Sequence, residues 1–453
     1  MPDSETNRRE LLKLGALGGI SAAVFGAGLG GCASGGRRLG PVRRVPLVAP
    51  KLDRVRIGFV GVGGMGTHHV STLLRIEGVE IRAICDIREA HAQRAAKLVQ
   101  AAGQPPPTLY TRGERDFERL CETEELDLVF TATPWEWHVP VCLVAMRNGK
   151  HAATEVPAAV TLEECWQLVE TAEKFDKHCV MMENCCYDRP ELMVLHMVRR
   201  GAFGEPMHAE VGYQHDLRGV KFSTEGEGLW RRAHATKRNG NLYPTHGLGP
   251  AAMAMDVNRG DRFDYLVSMA GNSRGLQLWQ QERLARDDPR RSEKYVLSDV
   301  NLTLIRTVRG RTIYLVHDTN LPRPYARFNL FQGTRAIYVG YPERFYLEGR
   351  SPEHAWEPLE KFAEEFEHPL WKSEAIKQAS GGHGGMDFLE DYRLIHCLRN
   401  GLPTDLNVYD AAAWSCISEL TERSVASRSR AMDVPDFTRG RWQTSPPWGV
   451  VEA

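Results

Sequence analysis

The feature that most constrains the fold is a glycine-rich turn between a short apolar strand and a helix. The β-branched run at 55–60, VRIGFV, leads directly into GVGGMG at 61–66, and a helical pattern of apolar positions follows. A second apolar run at 79–85 ends at Asp86, twenty residues after Gly66. Strand, glycine turn, helix, strand and acidic residue in this order are the fingerprint of a βαβ unit that binds a dinucleotide.

Each part of this unit has a defined task in binding. Gly61 allows the tight turn, Gly63 lets the backbone approach a pyrophosphate, and Gly66 lets the helix pack closely on the strand. The free N–H groups at the start of the helix attract the phosphates. Asp86 accepts hydrogen bonds from the adenosine ribose, which favours NAD over NADP. Arg88 is close enough in sequence to meet a 2′-phosphate, so NADP stays an alternative.

Strands and helices keep alternating to about residue 188. Apolar runs at 127–132, 151–155 and 179–184 indicate further strands, separated by helical segments. Because ligands of such sheets bind beyond the carboxyl ends of the strands, we expect the residues there to share one crevice with the glycine turn. These residues are Trp135, His138, Glu155, Asn184 and Tyr187.

Beyond about residue 190 the pattern changes to strands without regular helices between them, which is typical of an α+β domain. Such runs occur at 211–215, 265–269, 301–305 and 312–316. The sequence therefore predicts an α/β protein with two domains. A Rossmann domain with a doubly wound parallel sheet spans 53–188, and an α+β domain with an open, mostly antiparallel sheet spans 189–453. The glycine-rich stretch SGGHGGMDF at 380–388 is either a flexible connector or a contact with cofactor or substrate.

The first residues indicate export. The arginines at 8–9 and the weakly apolar, glycine-rich stretch 14–31 resemble a twin-arginine signal, and that stretch is too short and glycine-rich for a lasting membrane span. We assign 1–34 to this signal segment and 35–52 to a flexible linker. Because Cys32 ends a sequence that resembles a lipoprotein cleavage box, we expect a protein that is periplasmic or anchored to the cell envelope by a lipid on Cys32.

Charge and cysteine spacing exclude other classes of function. A net charge of −1 over 453 residues, with no basic run among aromatic residues, argues against binding to nucleic acid. The ten cysteines lack the paired spacing of a metal site, so we expect no metal. A protein that folds in the reducing cytoplasm before export keeps its thiols free, and buried free thiols are therefore the interpretation.

Longer motifs resemble a known superfamily. The fingerprint, TATPWEWH at 131–138 and HAATEVPAAVT at 151–161 resemble the Gfo/Idh/MocA family of oxidoreductases, in which a Rossmann domain precedes an open-sheet domain with the substrate site. That family usually has Glu-Lys-Pro at the strand end, and its lysine serves the site of hydride transfer. Here the sequence is Glu155-Val156-Pro157, so the ammonium group is missing.

Three further motifs are similar to glycoside hydrolase family 109, whose described members are NAD-dependent α-N-acetylgalactosaminidases. They are MMENCCYDR at 181–189, GNLYPTHGLGP at 240–250 and RPYARFN at 323–329. The resemblance implies contacts with NAD at Met65, Gly66, Asp86, Trp135, His138, Glu155, Val156 and Asn184. It implies contacts with the sugar at Tyr213, Arg231, Tyr243, His246 and Tyr325.

No carboxylate pair of the usual glycosidase kind is apparent in the second domain, and the resemblance implies a different mechanism. In that mechanism NAD oxidises C3 of a terminal α-linked N-acetylgalactosamine, the C1 substituent leaves by elimination across C1 and C2, water adds, and C3 is reduced again. With the lysine absent, the candidates for proton transfer are His246, Tyr243, Tyr187 and Tyr325. A phenol acts as a base only when its pKa is lowered, which the nicotinamide ring or Arg231 would do.

Export is consistent with this cycle, since the periplasm has no pool of NAD to exchange with. We expect one tightly bound NAD per chain, loaded in the cytoplasm and restored on every turnover, and a small-molecule or glycoconjugate sugar as substrate. The alternatives are an exported NAD(P)-dependent sugar oxidoreductase of the parent family and a non-catalytic carbohydrate-binding protein. A homo-oligomer is expected, because open sheet faces in this fold class commonly pair.

Overall fold

In the computed structural model, residues 48–374, 376 and 383–452 are described. The predicted signal segment, including Cys32, and most of the predicted linker lie outside these residues. The domain boundaries at 52, 188 and 453 stay predictions. Of the part of the chain that is described, no helix is both long and apolar enough to cross a membrane.

The first sheet has six strands, all parallel, in the order β3-β2-β1-β4-β5-β6. Its strands are β1 (Val55–Val60), β2 (Val79–Cys85), β3 (Thr108–Tyr110), β4 (Leu128–Thr131), β5 (His151–Thr154) and β6 (Cys179–Met181). The helices between them are α1 (Gly64–Leu73), α2 (Glu89–Ala101), α3 (Asp116–Thr123), α4 (Trp135–Arg147) and α5 (Leu162–Phe175). The strands are apolar and almost entirely buried because helices cover both faces of a doubly wound sheet.

The second sheet has nine strands and is mostly antiparallel, in the order β14-β13-β12-β11-β7-β10-β9-β8-β15. The exception is the parallel pair of β7 and β10. Its strands are β7 (Pro206–Gln214), β8 (Phe263–Ala270), β9 (Val300–Thr307), β10 (Thr312–Asp318), β11 (Leu330–Gly333), β12 (Ala336–Val339), β13 (Arg344–Leu347), β14 (Glu357–Pro358) and β15 (Met432–Asp433). The predicted fold class is therefore confirmed.

One face of this sheet is open. Along β9, Asn301, Thr303 and Ile305 are buried, whereas Leu302 and Leu304 between them are exposed. The period of two shows that one face packs on the protein and the other faces solvent. The expected homo-oligomer stays a prediction.

Ten further helices accompany the second sheet within the described residues. They are α6 (Arg189–Arg199), α7 (Arg218–Lys221), α8 (Arg231–Ala235), α9 (Thr245–Ala254), α10 (Gly275–Arg283), α11 (Glu360–Phe366), α12 (Pro369–Lys372), α13 (Met386–Asn400), α14 (Val408–Ser415) and α15 (Ile417–Ala426). Helix α13 returns to the first sheet and packs beside α1, where it contributes buried carboxylates to the site described below.

The nine cysteines of the described residues are buried and free. Burial raises the pKa of several of these thiols, Cys185 and Cys186 among them, well above the usual value. Those thiols are therefore protonated, and the burial of all nine free cysteines confirms the prediction for this part of the chain.

Candidate active site

The glycine turn has the geometry that a dinucleotide requires. A Cβ at Gly66 would lie 2.0 Å from the carbonyl oxygen of Gly61, so only glycine permits this close packing of α1. A Cβ at Gly63 would meet nothing within 4 Å, and no side chain caps the helix that starts there. An open backbone with free N–H groups is suited to hold a pyrophosphate. Met65, the remaining predicted contact of this turn, lies in the first turn of α1.

Asp86 is fixed at the end of β2. Its Oδ2 accepts a hydrogen bond of 2.9 Å from the Val62 N–H, and its Oδ1 accepts one of 2.8 Å from the Arg88 N–H. The carboxylate therefore lies directly beside the glycine turn, at the position from which a ribose is bound in this fold. The residues present fit NAD.

The ends of β4 and β5 are joined by His138, which is fully buried. Its Nδ1 lies 2.8 Å from the Pro157 carbonyl oxygen and its Nε2 lies 2.9 Å from that of Thr133. Burial lowers the pKa of His138, so the ring is neutral, and its one N–H donates to only one of these two carbonyl oxygens. His138 therefore lies between the segments that follow the two strands, and Val156 is buried in the core.

Glu155 belongs to a buried charge network. His69 of α1 donates from Nε2 to Glu155 at 2.8 Å and from Nδ1 to Asp391 of α13 at 2.9 Å. Although burial disfavours a charged ring, Asp391 and Glu155 together raise the pKa of His69 well above its usual value. An imidazolium between two carboxylates thus fixes the orientation of Glu155.

Asn184 is held by a second network on the same helix. Its amide donates to Asp387 at 2.7 Å, and Asp387 also binds His383 at 2.9 Å and lies 3.0 Å from His68. Burial alone would raise the pKa of Asp387, but His383 and His68 lower it well below its usual value. The hydrogen bond from Asp387 in turn raises the pKa of His383, which is half exposed. His383 therefore shares Asp387 as a hydrogen-bond partner with Asn184, a predicted cofactor contact.

Four of the predicted sugar residues form one cluster of rings. The Tyr213 centroid lies 4.5 Å from that of Tyr243, 5.4 Å from that of His246 and 6.1 Å from that of Tyr325. Tyr243 and His246 are 4.8 Å apart. Trp135, from the end of β4, lies 5.8 Å from Tyr243, so the ring cluster adjoins the first sheet.

Arg231 lies against this ring cluster. Its guanidinium carbon is 5.0 Å from the centroid of Trp135 and 5.1 Å from that of Tyr243, and its Nε lies 2.9 Å from the carboxylate of Glu227. Trp230 packs against the same guanidinium group at 5.4 Å. The aromatic faces and the carboxylate stabilise a cation that is almost fully buried.

Glu183, which the sequence analysis did not single out, orients His246. The His246 Nδ1 lies 2.7 Å from Glu183 Oε1, and Glu183 is fully buried at the end of β6. Burial alone would raise the pKa of Glu183, but His246 and the Thr245 hydroxyl lower it, so the carboxylate is ionised. With Nδ1 bound to Glu183, Nε2 is the nitrogen left for a substrate proton. The position of Glu183 just after β6, inside the motif at 181–189, was the available sequence signal for this residue.

His215 is a second residue that the sequence analysis missed. Its Nδ1 lies 3.1 Å from the Tyr213 hydroxyl, and its ring is 5.1 Å from that of Tyr325. Burial lowers the pKa of His215, so the ring is neutral and its Nδ1 accepts a hydrogen bond from the Tyr213 hydroxyl. Its position directly after β7, two residues beyond Tyr213, was the only signal for it.

The phenols differ from expectation in their ionisation. Burial raises the pKa of Tyr213 to about 12 and those of Tyr243 and Tyr325 well above the usual value, and Arg231 only partly opposes this for the first two. The expected lowering by Arg231 is present for Tyr213 and Tyr243, but it is smaller than the effect of burial, so the net pKa shift is upward. The three phenols are protonated and act as hydrogen-bond donors.

The structure does not bring Tyr187 into the ring cluster. It is buried, its hydroxyl donates to Asp405 at 3.2 Å, and burial raises its pKa well above the usual value. Asp405 is itself paired with Arg393 at 2.7 Å. These contacts are those of a core residue.

One group of the described residues has the ligand types of a metal site. The ligand atoms of Glu183, Cys185 and His246 lie within 4.8 Å of one another. Because the Cys185 thiol is protonated and Glu183 already binds His246, the group is arranged as a hydrogen-bonded site. The absence of a metal stays a prediction.

Comparison with known proteins decides the family. A profile of the C-terminal domain of glycosyl hydrolase 109 matches residues 187–444, more than half of the chain. A profile of the oxidoreductase family with an NAD-binding Rossmann fold matches residues 55–183. The chain belongs to glycosyl hydrolase family 109. The predicted membership of this family is therefore confirmed, and the protein is an NAD-dependent enzyme.

Relatives match over nearly the whole length. A glycosyl hydrolase family 109 protein from Solibacter usitatus (strain Ellin6076) is 47% identical over 446 residues, which are 98% of this chain and 99% of that protein. One from Shewanella sp. (strain W3-18-1) is 48% identical over 416 residues, 90% of each. Levoglucosan dehydrogenase in complex with NADH and levoglucosan shares the fold with a TM-score of 0.65 and 16% identity, covering 84% of this family 109 chain and all of the dehydrogenase.

Proposed function

We propose that this family 109 enzyme hydrolyses terminal α-linked N-acetylgalactosamine, with tightly bound NAD, one per chain, as an internal redox partner. The observation that carries the proposal is the pair of His246 and ionised Glu183, set among protonated phenols beside the strand ends of a dinucleotide fold. A single oriented imidazole with several hydroxyl donors suits proton transfer to and from a sugar.

The residues divide into those that hold the sugar and those that move protons. Tyr213, Tyr325 and Arg231 offer O–H and N–H donors to hydroxyl or acetamide oxygens. His246 takes protons from the sugar through Nε2, and Glu183 stabilises the resulting imidazolium. Tyr243, with its ring 4.8 Å from that of His246, donates a hydrogen bond to the oxygen that changes charge.

NAD bound at the glycine turn would supply reversible hydride exchange with C3 of the sugar, which acidifies the proton on C2. Removal of that proton allows the C1 substituent to leave, and addition of water at C1 completes a hydrolysis with no net redox change. His383 is suited to protonate the leaving oxygen, because it is half exposed and Asp387 favours its protonated form. The glycine turn, Asp86 and Asn184 hold the cofactor in this scheme.

The test uses the purified protein without added cofactor. We expect release of p-nitrophenol from p-nitrophenyl α-N-acetylgalactosaminide, NAD in the supernatant after denaturation, and deuterium at C2 of product formed in heavy water. Fully active protein free of nucleotide, or product without deuterium at C2, contradicts the proposal.

The second candidate is an exported sugar oxidoreductase that oxidises one carbohydrate and reduces another on the same NAD. The shared fold with levoglucosan dehydrogenase favours it. The valine at position 156 disfavours it, because no ammonium group is available at that strand end. Formation of a lactone and an alditol from a mixture of aldose and ketose would establish this alternative.

We further propose export by the twin-arginine route, with the protein periplasmic or lipid-anchored at Cys32. A cofactor that each turnover restores needs no external pool, which supports this location. Fractionation of cells that express the full chain, with and without replacement of the arginines at 8–9, tests it. Cytoplasmic retention of the unaltered chain contradicts it.

A further inference from the structure

A further aromatic ring, that of Tyr341, extends the ring cluster into a row that continues past the residues predicted to bind the sugar. The centroid of Tyr341 lies 6.2 Å from that of Tyr325, with the rings at 70° to each other. Tyr213 and Tyr243 are buried, whereas 36% of Tyr325 and 41% of Tyr341 are exposed. The row therefore leads from the buried ring cluster to the protein surface.

A buried cation supports the two outer rings. The guanidinium carbon of Arg327 lies 5.8 Å from the centroids of both Tyr325 and Tyr341, and Arg327 donates to the Tyr325 hydroxyl at 3.3 Å. Its charge is compensated by Asp188 at 2.6 Å and Glu191 at 2.5 Å. Because Arg327 is itself buried and paired, it fixes the rings without presenting a free charge to a ligand.

The backbone presents Tyr341 in an unusual conformation. Its φ is +58°, in the left-handed region that tyrosine rarely adopts, and Asn329 in the neighbouring turn has a φ of +55°. The two turns are bonded by the Gly340 N–H, which donates to the Asn329 carbonyl oxygen at 3.1 Å. Such conformations persist where the surrounding structure imposes them, and they are frequent at ligand sites.

We propose that Tyr341 is a platform for the sugar on the leaving-group side of the glycosidic bond, and that this sugar is a neutral hexose. The inference rests on the proposed function. The inner end of the cluster is closed by the buried rings of Tyr243 and Trp135, so the C1 substituent of a bound sugar extends past Tyr325 toward Tyr341.

The chemistry of the platform selects this ligand. A pyranose has a face of C–H groups that packs on an aromatic ring and an edge of hydroxyls that bonds to polar groups at its rim. Because the charge of Arg327 is already paired with Asp188 and Arg327 also donates to the buried Glu191, no free cation in this row favours an anionic sugar or a phosphate. The substrate is then an oligosaccharide chain and not only a simple glycoside.

The experiment compares two substrates with the NAD-loaded enzyme. One is methyl α-N-acetylgalactosaminide, and the other is a disaccharide of α-N-acetylgalactosamine on galactose. We expect Tyr341→Ala to lower kcat/KM for the disaccharide about tenfold, since loss of one covered ring face is worth about that factor, and to change the value for the methyl glycoside less than about twofold. Tyr341→Phe keeps the ring and retains the wild-type preference.

Trp356 provides the matched control. It is an exposed aromatic residue, 43% accessible, beside the guanidinium group of Arg344 at 4.8 Å. Trp356→Ala leaves both substrates unchanged. An equal loss on both substrates with Tyr341→Ala, no loss on the disaccharide, or the same discrimination with Trp356→Ala overturns the inference.

A failure of the proposed function has a different signature, because the wild-type enzyme then releases N-acetylgalactosamine from neither substrate. Calorimetric titration of the NAD-loaded protein with the disaccharide decides the inference in that case. An affinity about tenfold lower for Tyr341→Ala than for wild type supports the platform, and equal affinities overturn it.

Discussion

Replacing Glu183 by glutamine isolates the contribution of one buried charge. The side chain keeps its shape and can still accept a hydrogen bond from His246 Nδ1, now 2.7 Å from the Glu183 oxygen, but it no longer carries the charge that stabilises an imidazolium. A hydrogen bond to a charged group is worth about 1.5–3 kcal/mol. That range corresponds to a fall in kcat of about 10- to 150-fold if the proton transfer limits the rate.

The assay is kcat for methyl α-N-acetylgalactosaminide, with NAD content measured in the same preparations. Glu164→Gln is the control, because Glu164 belongs to the capping box of α5 and its hydrogen bonds are to Thr161 and Val160. We expect Glu183→Gln to keep its NAD and its KM within about threefold, since only the charged state of His246 is destabilised. A variant that retains more than half of the wild-type kcat refutes the role of Glu183 as the partner of the proton-transfer residue.

The remaining predictions concern the cofactor turn, the leaving group and the buried imidazolium. Gly66→Ala places a Cβ 2.0 Å from the Gly61 carbonyl oxygen and lowers bound NAD by at least about tenfold by dialysis, since such overpacking costs about 1–3 kcal/mol. His383→Ala lowers kcat for the methyl glycoside about 100-fold and much less for the p-nitrophenyl glycoside, whose leaving group needs little protonation; equal losses contradict the assignment. The pKa of His69 is raised in the folded state, so its ion pairs stabilise the fold fully below about pH 6.5, and this stabilisation is lost as the pH rises through the pKa of the folded state. We expect the free energy of unfolding of His69→Gln to fall less steeply with rising pH than that of the wild type. Denaturant titrations at a series of alkaline pH values measure this.

The first sheet was predictable because its elements follow from local sequence. The runs at 55–60 and 79–85 form β1 and β2, and the turn between them starts a helix. The helix begins at Gly64, inside the glycine turn itself. Alternation of apolar residues and the spacing of turn residues act within a few positions, which is the range that sequence patterns report.

The buried networks could not be predicted, because their partners lie far apart in the chain. His69 and Asp391 are 322 positions apart, and Asn184 and Asp387 are 203 apart. Nothing in the sequence around α1 indicates that α13 packs beside it. The short strands after residue 330, such as β12 (Ala336–Val339), were not predicted for another reason. A run of four residues is too short to show a clear alternation of apolar and polar positions.

The ionisation of the phenols shows the same limit. A motif with tyrosine near arginine suggests a lowered pKa, yet the structure buries Tyr213 and Tyr243 against each other with ring centroids 4.5 Å apart. The cost of desolvating a phenolate then exceeds the attraction of Arg231, and the pKa of each phenol rises. The sign of the shift depends on burial, which the sequence does not contain.

The absence of a lysine at position 156 changes which residues lie near the substrate with a charge or a transferable proton. Val156 is buried, and the cation next to Glu155 among the described residues is His69, which donates to Glu155 at 2.8 Å and is 1% exposed. A group so deeply buried stabilises Glu155 and cannot reach a sugar. Under the proposed function, proton transfer at the substrate therefore passes to residues outside the first sheet, and of these His246 in α9 has an ionised partner. The structural cation, His69, and the proposed proton-transfer group, His246, are thus separate residues, and this is the physical argument for a glycosidase over a dehydrogenase. A Val156→Lys variant that oxidises free sugars and loses hydrolysis would support this argument.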